Sequence, residues 1–181
     1  MTLSLANSPF RLTYNGLWDL LEADPDFNTH FKTKIHYNPE VTAGASAGYA
    51  SAPERFEISE ADCPSVRIDL VKMMPHAFRT SNGSSIKLLW AIKVATARRI
   101  WSEVLDSDWI IWRAMHDWQT IFKPSVVWNG QQIVKVCYTE EVTQTLRDRD
   151  ENRGIVGWST AWMGVTELWF DSSELKTLGG T

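Results

Sequence analysis

Cysteine is scarce in this chain, which has only Cys63 and Cys137 among its 181 residues. Two cysteines exclude a disulfide framework, and the pair lacks the Cys-x-x-Cys spacing of a zinc knuckle. Each cysteine lies in an apolar, strand-like run, where a thiol behaves as a small hydrophobic side chain. We therefore expect both to be reduced and buried.

Long apolar runs are missing as well. No stretch approaches the roughly 18 uninterrupted apolar residues of a transmembrane helix. Residues 1–16 also lack the basic segment followed by a continuous apolar segment that marks a signal peptide. We expect a protein that is neither secreted by a signal peptide nor membrane-spanning.

Positive charge is not in excess, because the formal net charge is −4. Proteins that grip nucleic acid use clustered Lys and Arg side chains to displace counterions. The charge argues against a large phosphate-binding footprint, but it permits a surface along which DNA passes without sticking.

Recognisable catalytic motifs are absent: the sequence contains no glycine-rich phosphate loop, nucleophile elbow or HExxH helix. The one candidate pair of a nucleophile and its general base is Cys137 with His116. Cys137 lies in an apolar strand-like run, where burial raises the pKa of a thiol and makes it inert. His116 and Asp117 are neighbours on a predicted helix, so their side chains diverge by about 100° and orient one another poorly. We expect no enzyme, with a small cytosolic hydrolase as the minor alternative.

Metal-ligand spacing is also absent. His30 and His36 are near each other in sequence, across a predicted helix end, and Asp24 or Asp26 would have to complete a metal site with them. Nothing places these side chains on one face, so we favour surface or interface histidines. No metal and no cofactor are expected.

Length and composition are those of one ordinary domain. Apolar residues make up 44% and charged residues 22% of the chain, close to the average for globular proteins. A domain has about 100–200 residues, so a single domain over residues 1–181 is predicted.

Ten tryptophans are the unusual feature of the composition. Trp is enriched in protein interfaces, so more of them than a core of this size can hide would indicate contacts with a partner. A Trp-rich core whose indole N–H groups are satisfied locally is an equal alternative.

The first predicted helix covers residues 13–23. It opens with Thr13 as a capping residue and places three leucines on one stripe. Asp24-Pro25 interrupts it, because the residue before a proline is pushed out of the helical region. The helix should therefore end between Asp24 and Lys32.

A second helix is predicted over residues 107–122, capped by Asp106 or Ser107 and ended by Pro124. Its helical spacing defines two apolar stripes. The core stripe comprises Ile111, Met115, Trp118 and Phe122, and the second stripe comprises Trp109, Trp112 and His116.

Strands are predicted in two pairs. The first pair alternates apolar and polar residues and is antiparallel, with a turn at Asn82-Gly83. The second pair is a long hairpin over residues 126–170 with a charged, solvated tip at 147–154. The predicted strands are 63–71, 86–101, 126–142 and 155–170. The fold class is therefore α+β: a mixed, mainly antiparallel sheet of about four strands with two main helices, one of which packs across the sheet.

Residues 38–60 form a loop rich in Ala, Gly, Ser and Pro with no apolar period. A mobile surface loop is one interpretation. We favour an arm that orders on a neighbouring subunit, because Tyr49 and Phe56 give it side chains to bury. Residues 171–181 are expected to fray.

The layout of these elements resembles the tail terminator or tail completion proteins of long-tailed bacteriophages. The resemblance covers most of residues 13–170 and also rests on local sequences: LLEADPDF, DCPSVRIDL, IKLLWAIKV, an aromatic-rich helix and GIVGWSTAWMGVTELWF. The long 38–60 loop and the ten tryptophans exceed what is typical of that family.

The resemblance implies a structural protein of the virion, made in the host cytoplasm. It implies a homo-oligomeric ring, usually a hexamer, that ends the tail tube and joins it to the head-completion proteins, with DNA passing through the lumen. Another neck or connector protein of the same particle is the alternative. The partners implied are other copies of the chain, a tail tube protein and a head-completion protein, without a membrane.

A head-to-tail ring needs two different complementary patches on each subunit. The candidate interface residues come from the second stripe of the 107–122 helix, from the two-sided apolar strand 165–170 and from the 38–60 loop. They are Trp109, Trp112, His116, Tyr49, Phe56 and Trp169.

Overall fold

A computed structural model describes residues 8–36, 59–75, 83–96, 101–142 and 157–171 of the chain. In this part of the chain no helix is both long and apolar enough to cross a membrane. The helices and strands are α1 (Pro9–Glu22), α2 (Pro25–His30), β1 (Thr33–Ile35), a short 3-10 helix (Glu60–Asp62), β2 (Ser65–Pro75), β3 (Gly83–Thr96), α3 (Trp101–Ala114), α4 (Trp118–Ser125), β4 (Val127–Trp128), β5 (Gln131–Gln132), β6 (Val134–Glu140) and β7 (Gly157–Asp171).

The main sheet has five strands in the order β1-β2-β3-β7-β6. β1 is parallel to β2, and the other neighbouring pairs are antiparallel. The predicted α+β class and the mixed, mainly antiparallel sheet are confirmed, although the sheet has five strands rather than the expected four. The missing strand is β1, whose three residues are too few to show an alternating pattern.

The predicted pairing of 63–71 with 86–97, the main part of the strand predicted over 86–101, is confirmed, since β2 and β3 pair from Ser65 opposite Ala95 to Pro75 opposite Ile86. The strand does not reach residue 101, because β3 ends at Thr96 and Trp101 begins α3. The pairing of β6 with β7 confirms the C-terminal hairpin. Each of these ladders contains one irregularity, as does the ladder between β3 and β7, so the paired strands twist and bend locally.

Helix α1 begins four residues earlier than predicted, at Pro9. The Ser8 side chain accepts a hydrogen bond from the backbone N–H of Arg11, and Pro9 occupies the first turn, where a missing N–H costs nothing. Thr13 is therefore not the cap. It is fully buried inside the helix, and its hydroxyl donates to the Pro9 carbonyl at 2.8 Å.

The predicted interruption at Asp24-Pro25 is confirmed, because α1 ends at Glu22 and α2 begins at Pro25. The first helix therefore ends before the predicted range of Asp24 to Lys32. The Asp24 carboxylate caps α2 by accepting from the backbone N–H groups of Asp26 and Phe27 at 2.9 and 3.2 Å. One aspartate thus separates the two helices and starts the second.

The single helix predicted over 107–122 is wrong: the region forms two helices, α3 and α4, separated by a turn over residues 115–117. The turn is made by Asp117, which adopts a left-handed conformation with φ of 56°. Neither Asp106 nor Ser107 is the cap, because α3 starts at Trp101 and both lie inside it. The Ser107 hydroxyl donates to the Glu103 carbonyl one turn earlier.

The run predicted as one strand over 126–142 is also divided. Asn129 and Gly130, with φ of 50° and 76°, make a tight turn that joins β4 to β5, and β6 follows as a separate strand. This sequence is typical of a two-residue hairpin loop. Pro124 does not end the preceding helix, since α4 continues to Ser125.

Helices α1, α3 and α4 pack on one face of the main sheet and form a shared hydrophobic core with it. The predicted core stripe of Ile111, Met115, Trp118 and Phe122 is confirmed, because all four side chains are at most 3% exposed. The indole N–H groups of Trp90 and Trp118 donate to threonine hydroxyls of the sheet at 3.0 Å. Local partners therefore satisfy these buried indoles.

The tryptophans divide between the core and the surface. The core alternative holds for Trp90 and Trp118, whereas the buried indole N–H of Trp18 has no hydrogen-bond partner among the described residues, and contacts with a partner stay a prediction for the exposed tryptophans. Trp109, Trp112 and Trp169 are exposed by 56%, 54% and 43%. Five others are buried: Trp18, Trp90, Trp118, Trp128 and Trp162.

Several predictions fall on residues outside the described ranges. These are the charged tip 147–154, the loop 38–60 except Ser59 and Glu60, and the tail except Asp171, which is the last residue of β7 rather than part of a frayed end.

Candidate assembly surface

The outer face of α3 carries a continuous apolar strip. Leu105, Trp109, Trp112 and His116 follow one another at intervals of four, three and four residues, which places them on one side of a helix. The exposed fractions of the first three are 63%, 56% and 54%, and His116 is exposed in the turn after α3. These four residues are called the aromatic ridge below.

The opposite side of α3 is occupied by the core. Ile110 and Ile111 are 8% and 0% exposed, and Met115 is 3% exposed in the following turn. The packing that holds α3 on the sheet therefore leaves the ridge outside. The second apolar stripe predicted from the sequence is confirmed as an exposed feature of the described residues.

The rings of the ridge hold one another in place. Trp109 and Trp112 stack with centroids 5.3 Å apart and planes at 23°, and Trp112 lies 5.4 Å from the His116 ring. Aromatic pairs in this range attract one another. Ordering the ridge on a partner therefore costs less side-chain entropy than ordering isolated tryptophans would.

Leu105 belongs to the ridge but was missed by sequence reasoning, because the helix was expected to begin at residue 107. Its spacing of four residues from Trp109 is the signal that reveals it. Recognising the start of α3 at Trp101 would have extended the stripe by one turn.

The end of the ridge contradicts one prediction. His116 and Asp117 were expected to diverge as neighbours on a helix, but His116 Nε2 lies 3.5 Å from Asp117 Oδ2. The left-handed backbone of Asp117 breaks the helix and turns the two side chains toward each other. Both are well exposed, so the contact places charge at the ridge end rather than creating a buried catalytic pair.

A cleft of about 410 Å³ lies beside Trp109, between α2 and α3. Arg113 is one of its lining residues, and the guanidinium donates to Asp24 at 2.9 and 2.6 Å and contacts Asp26 at 2.8 Å. The hydrogen bonds from Arg113 and from two backbone amides hold the pKa of Asp24 below its usual range. This ion-pair network ties α2 to α3 and fixes the shape of the cleft.

The metal site weighed from sequence is not formed. His30 Nε2 lies 2.8 Å from Ser107 Oγ, whereas His36 stacks on Trp18 with centroids 3.9 Å apart. Asp24 is engaged by Arg113. Within the described ranges, no group of three or more His, Cys, Asp or Glu side chains is arranged to hold a metal ion.

The polar contacts of Ser107 do not prepare it for nucleophilic attack. Its hydroxyl donates to the Glu103 carbonyl at 2.6 Å, so it accepts the hydrogen bond from His30. A base would instead have to accept the serine proton. Ser107 is also fully buried.

Both cysteines are free and buried, as predicted. Burial raises the pKa of the Cys137 thiol and, together with nearby carboxylates, raises that of Cys63 to about 11. The Cys137 sulfur lies 3.7 Å from the Gln119 carbonyl oxygen, while the His116 ring lies against Trp112. Cys137 and His116, the nucleophile and base considered from the sequence, therefore contact different neighbours.

Trp169 lies on the second face of the sheet, away from the ridge. Its indole N–H donates to Glu167 Oε1 at 2.9 Å, and Val136 and Tyr138 on β6 are exposed by 41% and 36%. The interface candidates therefore occupy two separate surfaces: Trp109, Trp112 and His116 on the ridge, and Trp169 on the sheet. Tyr49 and Phe56 lie outside the described residues.

No protein-family model matches the chain, and no curated protein matches it.

Proposed function

We propose that this chain is a structural assembly protein, a subunit of a homo-oligomeric ring that ends a bacteriophage tail tube and joins it to the head-completion proteins. The observation that carries the proposal is the aromatic ridge. One face of α3 is buried in the core, and the opposite face presents two stacked, half-exposed indole rings.

The ridge is costly to leave in water. A monomeric protein rarely keeps a large contiguous apolar patch exposed unless the patch binds something. Trp residues at the centre of an interface often cost at least ~2 kcal/mol when truncated. A loss of ~2 kcal/mol weakens one contact about 30-fold. Burial of the ridge in a contact between subunits would therefore contribute substantially to association.

A ring also requires a second, different surface on each subunit. Trp169 with Val136 and Tyr138 supplies an exposed apolar surface on another face of the molecule. Two distinct surfaces of this kind favour a head-to-tail ring over a two-fold dimer, in which each subunit would use the same surface. The net charge of −4 suits a lumen that lets DNA pass without binding it tightly.

The chemistry of the described residues supports a structural role over a catalytic one. The buried thiols have raised pKa values, and the Ser107 hydroxyl is committed to a backbone carbonyl. A hydrolase would need a nucleophile within reach of a base that accepts its proton. Assembly needs surfaces alone, and the ridge is such a surface.

The test compares Trp109→Ala and Trp112→Ala with Ile121→Ala, a matched truncation of a 57% exposed side chain on α4, outside the ridge. Sedimentation velocity of the purified proteins should show rings for the wild type and for Ile121→Ala, and folded monomers for the two tryptophan variants. In phage assembly, the tryptophan variants should produce overlong or headless tails, visible by electron microscopy.

The alternatives give different results. A neck or connector protein would form rings that bind the head-completion protein but do not cap purified tail tubes. If the tryptophan variants assemble normally and only Cys137→Ser or His116→Ala abolishes function, the assembly proposal is wrong and the hydrolase alternative is favoured.

A further inference from the structure

Resting on the proposed function, we infer that the aromatic ridge docks on the second sheet face of the adjacent copy, where the Lys72 ammonium enters the carboxylate-lined cleft beside Trp109. The surface that receives the ridge is called the sheet patch below. It comprises Lys72, Lys87, Val136, Tyr138 and Trp169.

The surroundings of the ridge are acidic. Asp106 and Asp26 line the cleft on one side of Trp109, and Asp117 stands at the other end of the ridge. Arg113, which also lines the cleft, offsets only part of this charge. Its single guanidinium is shared between Asp24 and Asp26 rather than paired with Asp106. The surface next to the ridge therefore presents carboxylates to any partner.

This charge disfavours packing of the ridge on a second ridge. In a two-fold contact each patch meets its own copy, so carboxylates would approach carboxylates across the interface. Like charges brought together in this way select against such a pairing. The ridge should instead meet a surface that carries exposed cations.

The cleft has the chemistry that a lysine side chain needs. Its volume is about 410 Å³, and Trp109 and Ile110 provide apolar walls while Asp26 and Asp106 provide oxygen atoms. An aliphatic lysine stem packs on such walls while its ammonium reaches the carboxylates. The face of an indole adds a cation–π attraction.

The strand register places an exposed lysine and one exposed aromatic side chain at the two ends of a row on one face, with Val165, which is 1% exposed, between them. Directly paired residues share a face of a sheet, and pairing across four strands aligns Lys72, Leu89, Val165 and Tyr138 in one row. Lys72 is exposed. Tyr138 at the other end of this row is 36% exposed.

The next row of the same face completes the patch. It aligns Lys87, Glu167 and Val136, and Trp169 follows at the end of β7. Lys87 Nζ lies 3.7 Å from Glu167 Oε2, so this lysine is held against the sheet. Lys72 is therefore the ammonium best placed to reach across to a neighbour.

A charge exchange tests this pairing. Asp106→Lys and Lys72→Glu should each weaken ring formation about tenfold by placing like charges in contact. The double variant, with both changes in one chain, should return to within about threefold of the wild type because the attraction is restored in reverse. Lys32→Glu, an exposed lysine outside both surfaces, is the matched control and should assemble as the wild type does. Sedimentation equilibrium measures all four variants.

A mixing experiment tests the head-to-tail arrangement separately. Trp112→Ala keeps an intact sheet patch, and Trp169→Ala keeps an intact ridge. Each alone should stay monomeric, while an equimolar mixture should form a dimer that grows no further, since it buries the only intact pair of surfaces.

The outcomes separate this inference from the proposed function. A wild-type protein that stays monomeric overturns both. A wild-type ring with no rescue by the double variant and no dimer in the mixture leaves the proposed function standing and overturns the ridge-to-patch pairing.

Discussion

Replacing Gly164 by alanine would drive a methyl group into the buried indole of Trp162. A Cβ atom at this position lies 2.1 and 2.6 Å from Cη2 and Cζ2 of that ring, well inside van der Waals contact. Gly164 pairs with Trp90 on β3 and Thr139 on β6, so the substitution falls in the centre of the sheet. It probes the packing that holds α4, and with it the end of the ridge, on the sheet.

The ring of Trp162 has little room to move. It is 3% exposed and packs edge-to-face on Trp118, with centroids 5.0 Å apart and planes at 88°. Overpacking a dense core costs about 1–3 kcal/mol, and a contact this short belongs at the upper end. Alanine recovers about 0.4–1 kcal/mol by restricting the unfolded chain. The net loss should be about 2 kcal/mol, which lowers the melting temperature by about 4–8 °C for a chain of this length.

Thermal and urea unfolding of Gly164→Ala, Trp162→Phe and the double variant measure this clash directly. Phe lacks the clashing atoms, so the two changes together should cost at least about 1 kcal/mol less than the sum of the single changes. If Gly164→Ala is as stable as the wild type, or if the two effects are strictly additive, the packing described for this part of the sheet is wrong.

Three smaller predictions follow from single groups. The pKa of Asp24 is lowered in the folded protein, so its pairing with Arg113 stabilises the fold fully above about pH 4, the pKa in the unfolded chain. This stabilisation is lost as the pH falls through the lower pKa of the folded state. The free energy of unfolding in urea should therefore depend less on acid pH in Asp24→Asn than in the wild type. Cys63 and Cys137 should react slowly with a thiol reagent at pH 8 in the native state and rapidly in urea, because burial raises both pKa values. Gly130→Ala should destabilise by about 1 kcal/mol, since alanine is strained at the φ of 76° found there, whereas an unchanged urea midpoint would contradict the tight turn.

Periodic patterns were the part of the fold that the sequence predicted well. The alternation in 63–71 and 86–97 follows from the geometry of a half-buried strand, and both the pairing and its direction are confirmed. The core stripe from Ile111 to Phe122 was predicted correctly although a turn divides its helix. The turn over residues 115–117 rotates the chain so that Trp118 and Phe122 still face the sheet.

Local backbone choices were predicted less well, because they depend on tertiary contacts. The αL conformation of Asp117 is open to many aspartates, and nothing in the surrounding sequence requires it. Ser8-Pro9 is a recognisable helix start that was overlooked in favour of Thr13. The three residues of β1 become a strand through their pairing with β2.

The candidate surface was predicted in part. Trp109, Trp112 and His116 were singled out by helical spacing alone, and their exposure is confirmed. The division of the remaining tryptophans between core and surface depends on strand register, which a sequence pattern does not fix. The acidic cleft depends on the position of α2 against α3, set by the ion pairs of Arg113, and no periodic pattern encodes that contact.

Native mass spectrometry of the purified wild-type chain over a range of micromolar concentrations tests the central claim most directly. Ring assembly predicts one dominant species whose mass is a whole multiple, six in the expected case for this kind of ring, of the 20.6 kDa chain, with little open-chain intermediate because closure adds a contact without adding a subunit. A chain that remains at the mass of one subunit at every concentration would contradict the claim that this protein acts by assembling with itself.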